Sequence, residues 1–112
     1  MNKTEVLQRI RTEKVIALIR ADGPDSLIDC ARALAAGGLS VIELTMTTPG
    51  AIAVLAKAAK ELPDVVFGMG TVLDAATVAE AQAAGAQFIL TPSVRPTVLA
   101  ACRERGLAVL GG

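Results

Sequence analysis

Five short apolar runs recur along the chain, and a longer segment with helical periodicity separates each run from the next. The runs contain mostly aliphatic and β-branched residues with few polar interruptions, which is typical of strands that are covered on both faces. They span residues 14–20, 40–45, 65–71, 87–91 and 107–110. The pattern therefore predicts five buried strands.

The segments between the runs place apolar residues on one face of a helix and carry residues that favour helix ends. In the leading helix, Val6, Leu7 and Ile10 form the apolar face. The predicted helices are residues 1–12, residues 25–36 with Asp25 or Ser26 as cap, a helix starting at Pro49, residues 75–84 between Asp74 and Gly85, and a helix from Pro96 to Gly106.

Strands that alternate with helices of this length predict right-handed βαβ units and a parallel sheet. Five such strands are compatible with an open doubly wound sheet of the flavodoxin type. They are equally compatible with just over half of an eight-stranded (β/α) barrel. Periodicity alone does not choose between the two. No linker or shift in composition divides the chain, so residues 1–112 are expected to form a single domain.

Composition excludes several classes of function. Eleven basic and eleven acidic side chains give a net charge of zero, whereas a nucleic-acid partner normally requires a basic face. Aromatic residues make up 2% of the chain, too few for a base-stacking surface. No apolar run reaches the length of about 18 residues that a membrane span needs. The chain does not open with an export signal, so we expect a cytoplasmic protein.

The residue types that dominate catalytic sites are partly missing. The chain has no His, which removes the commonest general base and most zinc sites. We expect no bound metal and no cofactor. Cys30 and Cys102 are far apart in Ala-rich and Leu-rich helical segments, which predicts two reduced core thiols. No lysine follows a predicted strand, where a Schiff-base lysine would be desolvated. The lysines are Lys3, Lys14 at the start of the first strand, Lys57 and Lys60.

Polar side chains gather where the predicted strands end, the edge at which parallel α/β folds bind ligands. These residues are Arg20, Glu43, Thr45, Thr47, Thr48, Thr71, Thr91 and Ser93. Glu43 alternates with apolar neighbours inside a buried strand, where a carboxylate is costly unless it is paired or its pKa rises. A raised pKa suits a general acid and base. The alternative is a structural ion pair with Arg20 on the neighbouring strand.

The remaining candidates each have two interpretations. Arg20 can clamp a carboxylate or phosphate, or it can be the solvated end of a strand. Gly68 and Gly70, just before Thr71, can let the backbone approach an anion, or they can relieve crowding in a tight barrel interior. The pattern lacks GxGxxG, so a dinucleotide site is not expected. The turn over residues 91–93 can belong to the site or be a simple loop.

Several blocks of the sequence, in order and at similar spacing, resemble one enzyme family. The blocks are VIALIR (15–20), AAGG (35–38), VIELTMTTP (41–49), GMGTVL (68–73), AGAQFILTP (84–92) and CRERGLAVLGG (102–112). Together they resemble the amino-terminal half of the 2-keto-3-deoxy-6-phosphogluconate (KDPG) and 4-hydroxy-2-oxoglutarate (KHG) aldolases. The resemblance implies an eight-stranded barrel, of which about five strands and a short leading helix are present here.

The resemblance also implies a chemistry. Family members are class I aldolases that release pyruvate from KDPG, with glyceraldehyde 3-phosphate, or from KHG, with glyoxylate. A lysine forms a Schiff base with the keto carbon, and a glutamate, matched by Glu43, moves the protons. Thr71 matches the threonine that holds the pyruvyl carboxylate, and Arg20 matches a substrate-binding arginine of some members. Thr47 stands where some members carry an arginine, and Pro92 belongs with the substrate-binding residues.

This sequence departs from the family pattern because it matches the proton-transferring glutamate but not the Schiff-base lysine. In the family the Schiff-base lysine lies on strand six and the phosphate site on the strands after it, and neither is present in this chain. We therefore expect the 112 residues alone to be inactive. The alternatives are a non-catalytic half-barrel or flavodoxin-like module that self-associates, and a phosphate-binding barrel with another chemistry. The expected partners are a small keto acid and further copies of the chain, as an edge-paired or swapped assembly, full-length relatives typically being trimers.

Overall fold

Five parallel strands alternate with five helices in the structure, a computed structural model that describes residues 1–22 and 24–112 apart from the side chain of Asp25. The elements are α1 (Lys3–Glu13), β1 (Ala17–Ile19), α2 (Asp25–Ala36), β2 (Val41–Thr45), α3 (Ala51–Glu61), β3 (Val66–Gly70), α4 (Ala75–Ala84), β4 (Phe88–Thr91), α5 (Pro96–Glu104) and β5 (Ala108–Gly111). The predicted α/β class and all five strands are confirmed. No helix in this described part is long and apolar enough to cross a membrane.

The order of the strands decides between the two predicted architectures. Each strand pairs with its neighbour in the chain, in the order β1-β2-β3-β4-β5, and all pairs are parallel. A flavodoxin-type sheet would have the order 2-1-3-4-5, with helices on both faces. Here α2, α3, α4 and α5 contact one another in sequence. The barrel-type prediction is confirmed, and the flavodoxin-type alternative is wrong.

The outer face of the sheet packs against α2–α5. Alternate residues of the strands, such as Ile42 and Leu44 of β2, point to this side and are fully buried. They meet small and branched residues of the helices, such as Leu55 and Ala58 of α3. This layer is the main hydrophobic core.

The inner face of the sheet is closed at its amino end by α1, which contacts β2 and β5. A second apolar cluster forms there, which we call the amino-end cluster: Val6, Val41, Val66, Phe88 and Ala108. The helix is anchored by a capping box, in which Asn2 Oδ1 accepts from the Glu5 N–H at 2.9 Å and the Asn2 N–H donates to Glu5 Oε1 at 3.1 Å. The predicted leading helix is confirmed, and Val6 of its apolar face is buried.

Several helix ends differ from the sequence prediction: α1 begins at Lys3 rather than Met1, and α5 ends at Glu104 rather than Gly106. Lys14, predicted to open β1, instead ends α1 in the left-handed region with φ of 64°, and its N–H donates to the Ile10 carbonyl at 2.9 Å. The chain needs this left-handed residue to turn from the helix into a strand of only three residues. Helix α3 starts at Ala51 rather than Pro49, because Gly50 caps it with φ of 72°.

Capping predictions have mixed outcomes. Asp74 caps α4 as predicted, since its Oδ1 accepts from the Thr77 N–H at 2.8 Å, and Gly85 ends that helix with φ of 115°. Ser26 is wrong as a cap of α2, because it lies inside the helix and Pro24 holds the N-cap position. The alternative cap, the Asp25 side chain, lies outside the described part of the structure.

The two cysteines have different surroundings. Both are free thiols, as predicted. Cys102 is fully buried in the outer core, which confirms that part of the prediction. Cys30 is exposed, so its assignment to the core is wrong. The buried face of α2 centres on Leu27 and Ala31, and the helical rotation places Cys30 beyond its edge.

Candidate active site

The polar residues that follow β1, β2 and β3 meet at the carboxyl end of the inner face. The strand register pairs Leu18 with Glu43 and Thr45 with Gly70. Arg20 comes directly after β1, and Thr71 comes directly after β3. We call this group the carboxyl-end site: Arg20, Glu43, Thr45, Thr47, Gly70 and Thr71. The predicted gathering of these side chains at one edge is therefore seen on the first three strands.

Glu43 occupies the middle of β2 with its side chain on the inner face and is only 4% exposed. Burial raises the pKa of its carboxyl group, while the positive charge of Arg20 acts in the opposite direction. Its carboxyl oxygens accept no hydrogen bond from another described residue. A carboxyl group with a raised pKa can accept and return protons near neutral pH.

Arg20 does not form the structural ion pair that was the alternative for Glu43. The arginine side chain is exposed, whereas the carboxylate is buried. The ion pairs between described side chains involve Arg32, with Asp29 and Glu61, on the outer side of the sheet. Arg20 therefore acts on Glu43 as a nearby charge and leaves its guanidinium open to solvent.

Gly68 and Gly70 make room for larger side chains on the inner face. A Cβ atom on Gly70 would lie 1.6 Å from Glu43 Oε1, and one on Gly68 would lie 2.3 Å from Cε2 of Phe88. Both distances are far below van der Waals contact, so neither position has space for a methyl group. Relief of crowding, one of the two interpretations of these glycines, is confirmed.

Three threonine hydroxyls form a chain beside Glu43. The Thr45 Oγ1 lies 2.9 Å from the Thr71 Oγ1 and 3.2 Å from the Thr47 Oγ1. Thr45 is fully buried, Thr71 is half-buried and Thr47 is exposed. Sequence reasoning placed all three at this edge, but it did not show that Thr45 links the other two. The three hydroxyl groups therefore lead from the buried Thr45 to Thr47 at the protein surface.

The backbone at Thr71 is strained. Its φ is 57°, in the left-handed region that β-branched residues rarely adopt. Such a conformation costs about 1–2 kcal/mol and persists only where neighbouring contacts fix it. The bond to Thr45 and the Val72 N–H, which donates to the Leu90 carbonyl at 3.3 Å, hold the two sides of this turn. Strain of this kind is concentrated at functional sites.

The other polar residues at this edge have structural partners. Thr48 is buried, and its Oγ1 accepts from the Ala21 N–H at 3.5 Å. The Thr91 hydroxyl donates to the Ser93 carbonyl at 2.6 Å, so it holds its own turn. Pro92 is exposed in that turn, two strands away from Glu43. The interpretation of residues 91–93 as a loop is the one that these contacts favour.

All lysines lie away from the carboxyl-end site. Lys3 belongs to α1, Lys14 ends that helix, and Lys57 and Lys60 belong to α3. Each of the four is exposed. Among the side chains that the structure describes, no three of His, Cys, Asp or Glu come together in a way that could hold a metal ion.

The fold and the site together define a class of protein. Parallel strands in consecutive order, helices on the outer face and polar residues at the carboxyl ends are the features of (β/α)-barrel enzymes. Residues 6–112 match the model of the family described as "Aldolase: KDPG and KHG aldolase". The chain belongs to this aldolase family, which confirms the resemblance seen in the sequence.

Curated relatives support the same assignment. A 2-dehydro-3-deoxy-phosphogluconate aldolase of Treponema pallidum is 38% identical over 108 residues, which are 96% of this chain and 50% of the relative. The KHG/KDPG aldolase of Escherichia coli K12 is 34% identical over 110 residues, which are 98% of this chain and 52% of the relative. The chain spans about half the length of the curated relatives it matches, and it corresponds to their amino-terminal half.

Solved structures give the same result for the fold. The KDPG aldolase of Legionella pneumophila, solved with pyruvate captured as a covalent carbinolamine intermediate, has a TM-score of 0.81 at 32% identity. The match covers 87% of this chain and 47% of that one. The Zymomonas mobilis ZM4 enzyme, solved with 3-phosphoglycerate, has a TM-score of 0.80 at 33% identity, covering 87% and 46%. These neighbours have a TIM-barrel fold.

Proposed function

We propose that this chain forms one domain, a partial (β/α)8 barrel, and supplies part of the active site of a class I aldolase acting on KDPG or KHG. The products would be pyruvate with glyceraldehyde 3-phosphate, or pyruvate with glyoxylate. The observation that carries the proposal is Glu43, a buried carboxyl group with a raised pKa at the carboxyl end of a parallel sheet. Membership in the aldolase family supplies the chemistry in which such a group moves protons.

Glu43 would act as the proton carrier. In a Schiff-base aldolase, protons move at the carbinolamine, at the enamine and at the hydroxyl group whose C–C bond breaks. A group that serves all three steps must release and regain a proton near neutral pH, so its pKa must lie above that of an exposed carboxylate. The burial of Glu43 supports this role, and the exposed charge of Arg20 keeps its ionised form accessible.

The hydroxyl cluster would bind the keto acid. Thr71 would donate to the pyruvyl carboxylate, since it is half-buried and directly follows Gly70, over which the Glu43 carboxyl group lies. Arg20 would attract the same negative charge from the solvent side. Thr47 would contact the rest of the substrate. Thr47 offers a neutral hydroxyl, so Arg20 would supply the positive charge in this half of the site.

The 112 residues on their own would not carry out the aldol reaction. The support is the position of the lysines, all of which lie on α1, at its end, or on α3, away from Glu43. A Schiff-base lysine would have to lie within reach of the same keto carbon as Glu43. The nucleophile would therefore come from residues other than these 112, and no cofactor would be needed.

Borohydride trapping with pyruvate tests this division of roles. The chain is treated with pyruvate and sodium borohydride, and its mass is compared with that of the Escherichia coli KHG/KDPG aldolase treated in parallel. We expect the full-length enzyme to gain a reduced pyruvyl adduct and the 112-residue chain to gain none. An adduct on Lys3, Lys14, Lys57 or Lys60 would contradict the proposal.

Pyruvate binding tests the role of the hydroxyl cluster. Nuclear magnetic resonance of the isotope-labelled chain with millimolar pyruvate is expected to shift the amide signals of Thr71 and its neighbours. Thr71→Val should remove the effect, while Thr97→Val, on the exposed side of α5, should leave it unchanged. Shifts confined to residues far from β2 and β3 would argue against this binding site.

We also propose that the chain self-associates as a cytoplasmic homo-oligomer. In the described residues β1 and β5 each pair with one strand, and Leu18 on the inner face is 50% exposed. An unpaired strand edge next to an exposed leucine favours pairing with another copy. Sedimentation velocity at micromolar concentration is expected to show species larger than a monomer. A single monomeric boundary would contradict this.

A further inference from the structure

At the carboxyl-end site, the side chain of Glu43 on β2 lies against Gly70 on the neighbouring strand β3. The Glu43 side chain leaves β2 and crosses the backbone of β3. A Cβ atom built on Gly70 would lie 1.6 Å from Glu43 Oε1, 2.6 Å from its Cδ and 3.2 Å from its Cγ. The carboxyl group therefore occupies the volume that any side chain at position 70 would fill.

We propose that Gly70 is a positioning residue: the missing side chain at this position is what allows the Glu43 carboxyl group to lie over β3, beside Thr45 and Thr71. Its functional meaning rests on the proposed role of Glu43 as the proton carrier. The geometric claim does not depend on that role. Gly70 does not touch substrate in this proposal and acts only through the place it leaves for Glu43.

The backbone conformation does not explain the glycine at position 70. Gly70 ends β3 in regular pairing with Thr45, and it is not among the residues with positive φ. A residue with a side chain could adopt the same backbone conformation. The requirement for glycine therefore comes from the space that Glu43 uses.

Gly68 provides a matched control within the same strand. It lies two residues earlier, so its missing side chain points to the same inner face. The side chain that fills its place is the ring of Phe88, at 2.3–2.4 Å from a Cβ built on Gly68. Substitution at Gly68 thus disturbs the apolar amino-end cluster, whereas substitution at Gly70 disturbs Glu43. Comparing the two variants therefore separates the effect of crowding the inner face in general from the effect of displacing the Glu43 carboxyl group.

The experiment measures the pKa of Glu43 by carbon-detected nuclear magnetic resonance titration of its carboxyl group. In Gly70→Ala the methyl group pushes the carboxyl group toward solvent, so its pKa should fall toward that of an exposed glutamate. In Gly68→Ala the carboxyl group keeps its place, and its pKa should stay near the wild-type value. An unchanged pKa in Gly70→Ala, or equal falls in both variants, would overturn the proposal.

A double variant covers the case in which Gly70→Ala unfolds the chain. Removing the glutamate side chain in Glu43→Ala/Gly70→Ala leaves room for the new methyl group. Urea unfolding is expected to show that the double variant is more stable than Gly70→Ala alone, although it carries one more substitution. If the losses of the two single variants simply add, Gly70 does not serve Glu43.

These outcomes distinguish the positioning role from the aldolase proposal. If Glu43 has no part in catalysis, the pKa change and the non-additive stability still occur, because both report only the contact with position 70. If the contact is absent in solution, both measurements fail while Glu43 can still be the proton carrier.

Discussion

The two ends of the inner sheet face use the same strands for opposite purposes. At the amino end, Val41 and Val66 meet Phe88 in an apolar cluster that α1 covers. At the carboxyl end, two to four residues further along the same strands, the Glu43 carboxyl group lies over Gly70, on the same face as the Thr45 hydroxyl group. Within β2 alone, an apolar core residue, Val41, is followed two residues later by the candidate catalytic residue, Glu43.

This contrast shows how the fold supports a costly site. The buried Glu43 and the left-handed Thr71 both reduce stability. The outer core covers one face of these strands, and the amino-end cluster covers the amino end of the other face. In (β/α) barrels the amino end generally serves stability and the carboxyl end serves function. Variants at the amino end should therefore mainly lower the free energy of unfolding. Variants at the carboxyl end should have smaller effects on stability and should change the titration of Glu43.

The largest effect is expected at the amino end, from Phe88→Ala. Its ring is fully buried and fills the place above Gly68, so its loss leaves a cavity. We expect the free energy of unfolding in urea to fall by about 3–5 kcal/mol. Leu18→Ala is the control on the same face, where the side chain is half exposed. Equal losses in the two variants would show that the amino-end cluster contributes no more to the free energy of unfolding than the half-exposed Leu18.

A smaller effect is expected from Thr45→Val at the carboxyl end. The substitution keeps the shape of the side chain and removes the hydroxyl that contacts both Thr47 and Thr71. The expected loss is about 1 kcal/mol, the net value of a typical hydrogen bond. Thr97→Val, at an exposed position of α5, provides the matched control in the same urea experiment. A gain in stability would mean that the hydroxyl chain is not a structural support of Thr71.

Glu43→Gln tests the cost of the buried carboxyl group through its pH dependence. Because the pKa is raised from 4.5 in the folded chain, the folded state holds its proton to higher pH than the unfolded state. Wild-type stability should therefore fall as pH rises from 4.5 through the folded pKa and then level off. The variant should lack this fall, so its advantage should grow across that window. Glu80→Gln is the exposed control, and parallel stability curves for Glu43→Gln and wild type would contradict the prediction.

The smallest effect on stability is expected from Arg20→Gln. The side chain is exposed, so the free energy of unfolding should change by no more than about 0.5 kcal/mol. Its charge lowers the pKa of Glu43, so the substitution should raise that pKa further. A carboxyl titration measures the shift, with Arg11→Gln on α1 as control. A fall in the pKa of Glu43 would reverse the electrostatic assignment.

Local patterns predict the strands and the buried face of Glu43 well, because alternation and burial belong to a single segment. The left-handed Lys14 was missed because nothing in its neighbours requires that turn until the helix is docked under the sheet. Cys30 was misplaced because its helix buries a narrower face than its composition indicates. The role of Gly70 could not be read from one strand either. It depends on a side chain from β2 that crosses to β3, although paired glycines opposite a buried glutamate are a usable signal.

The consecutive strand order has a consequence for how the chain folds during synthesis. Successive strands begin 20–25 residues apart, and each pairs with the strand made just before it. At a synthesis rate of roughly 5–20 residues per second, a new strand emerges every ~1–5 seconds. Its partner is by then already outside the ribosome, and closing such short loops costs little entropy. The sheet can therefore grow one βα unit at a time, in the direction in which the ribosome reads the message.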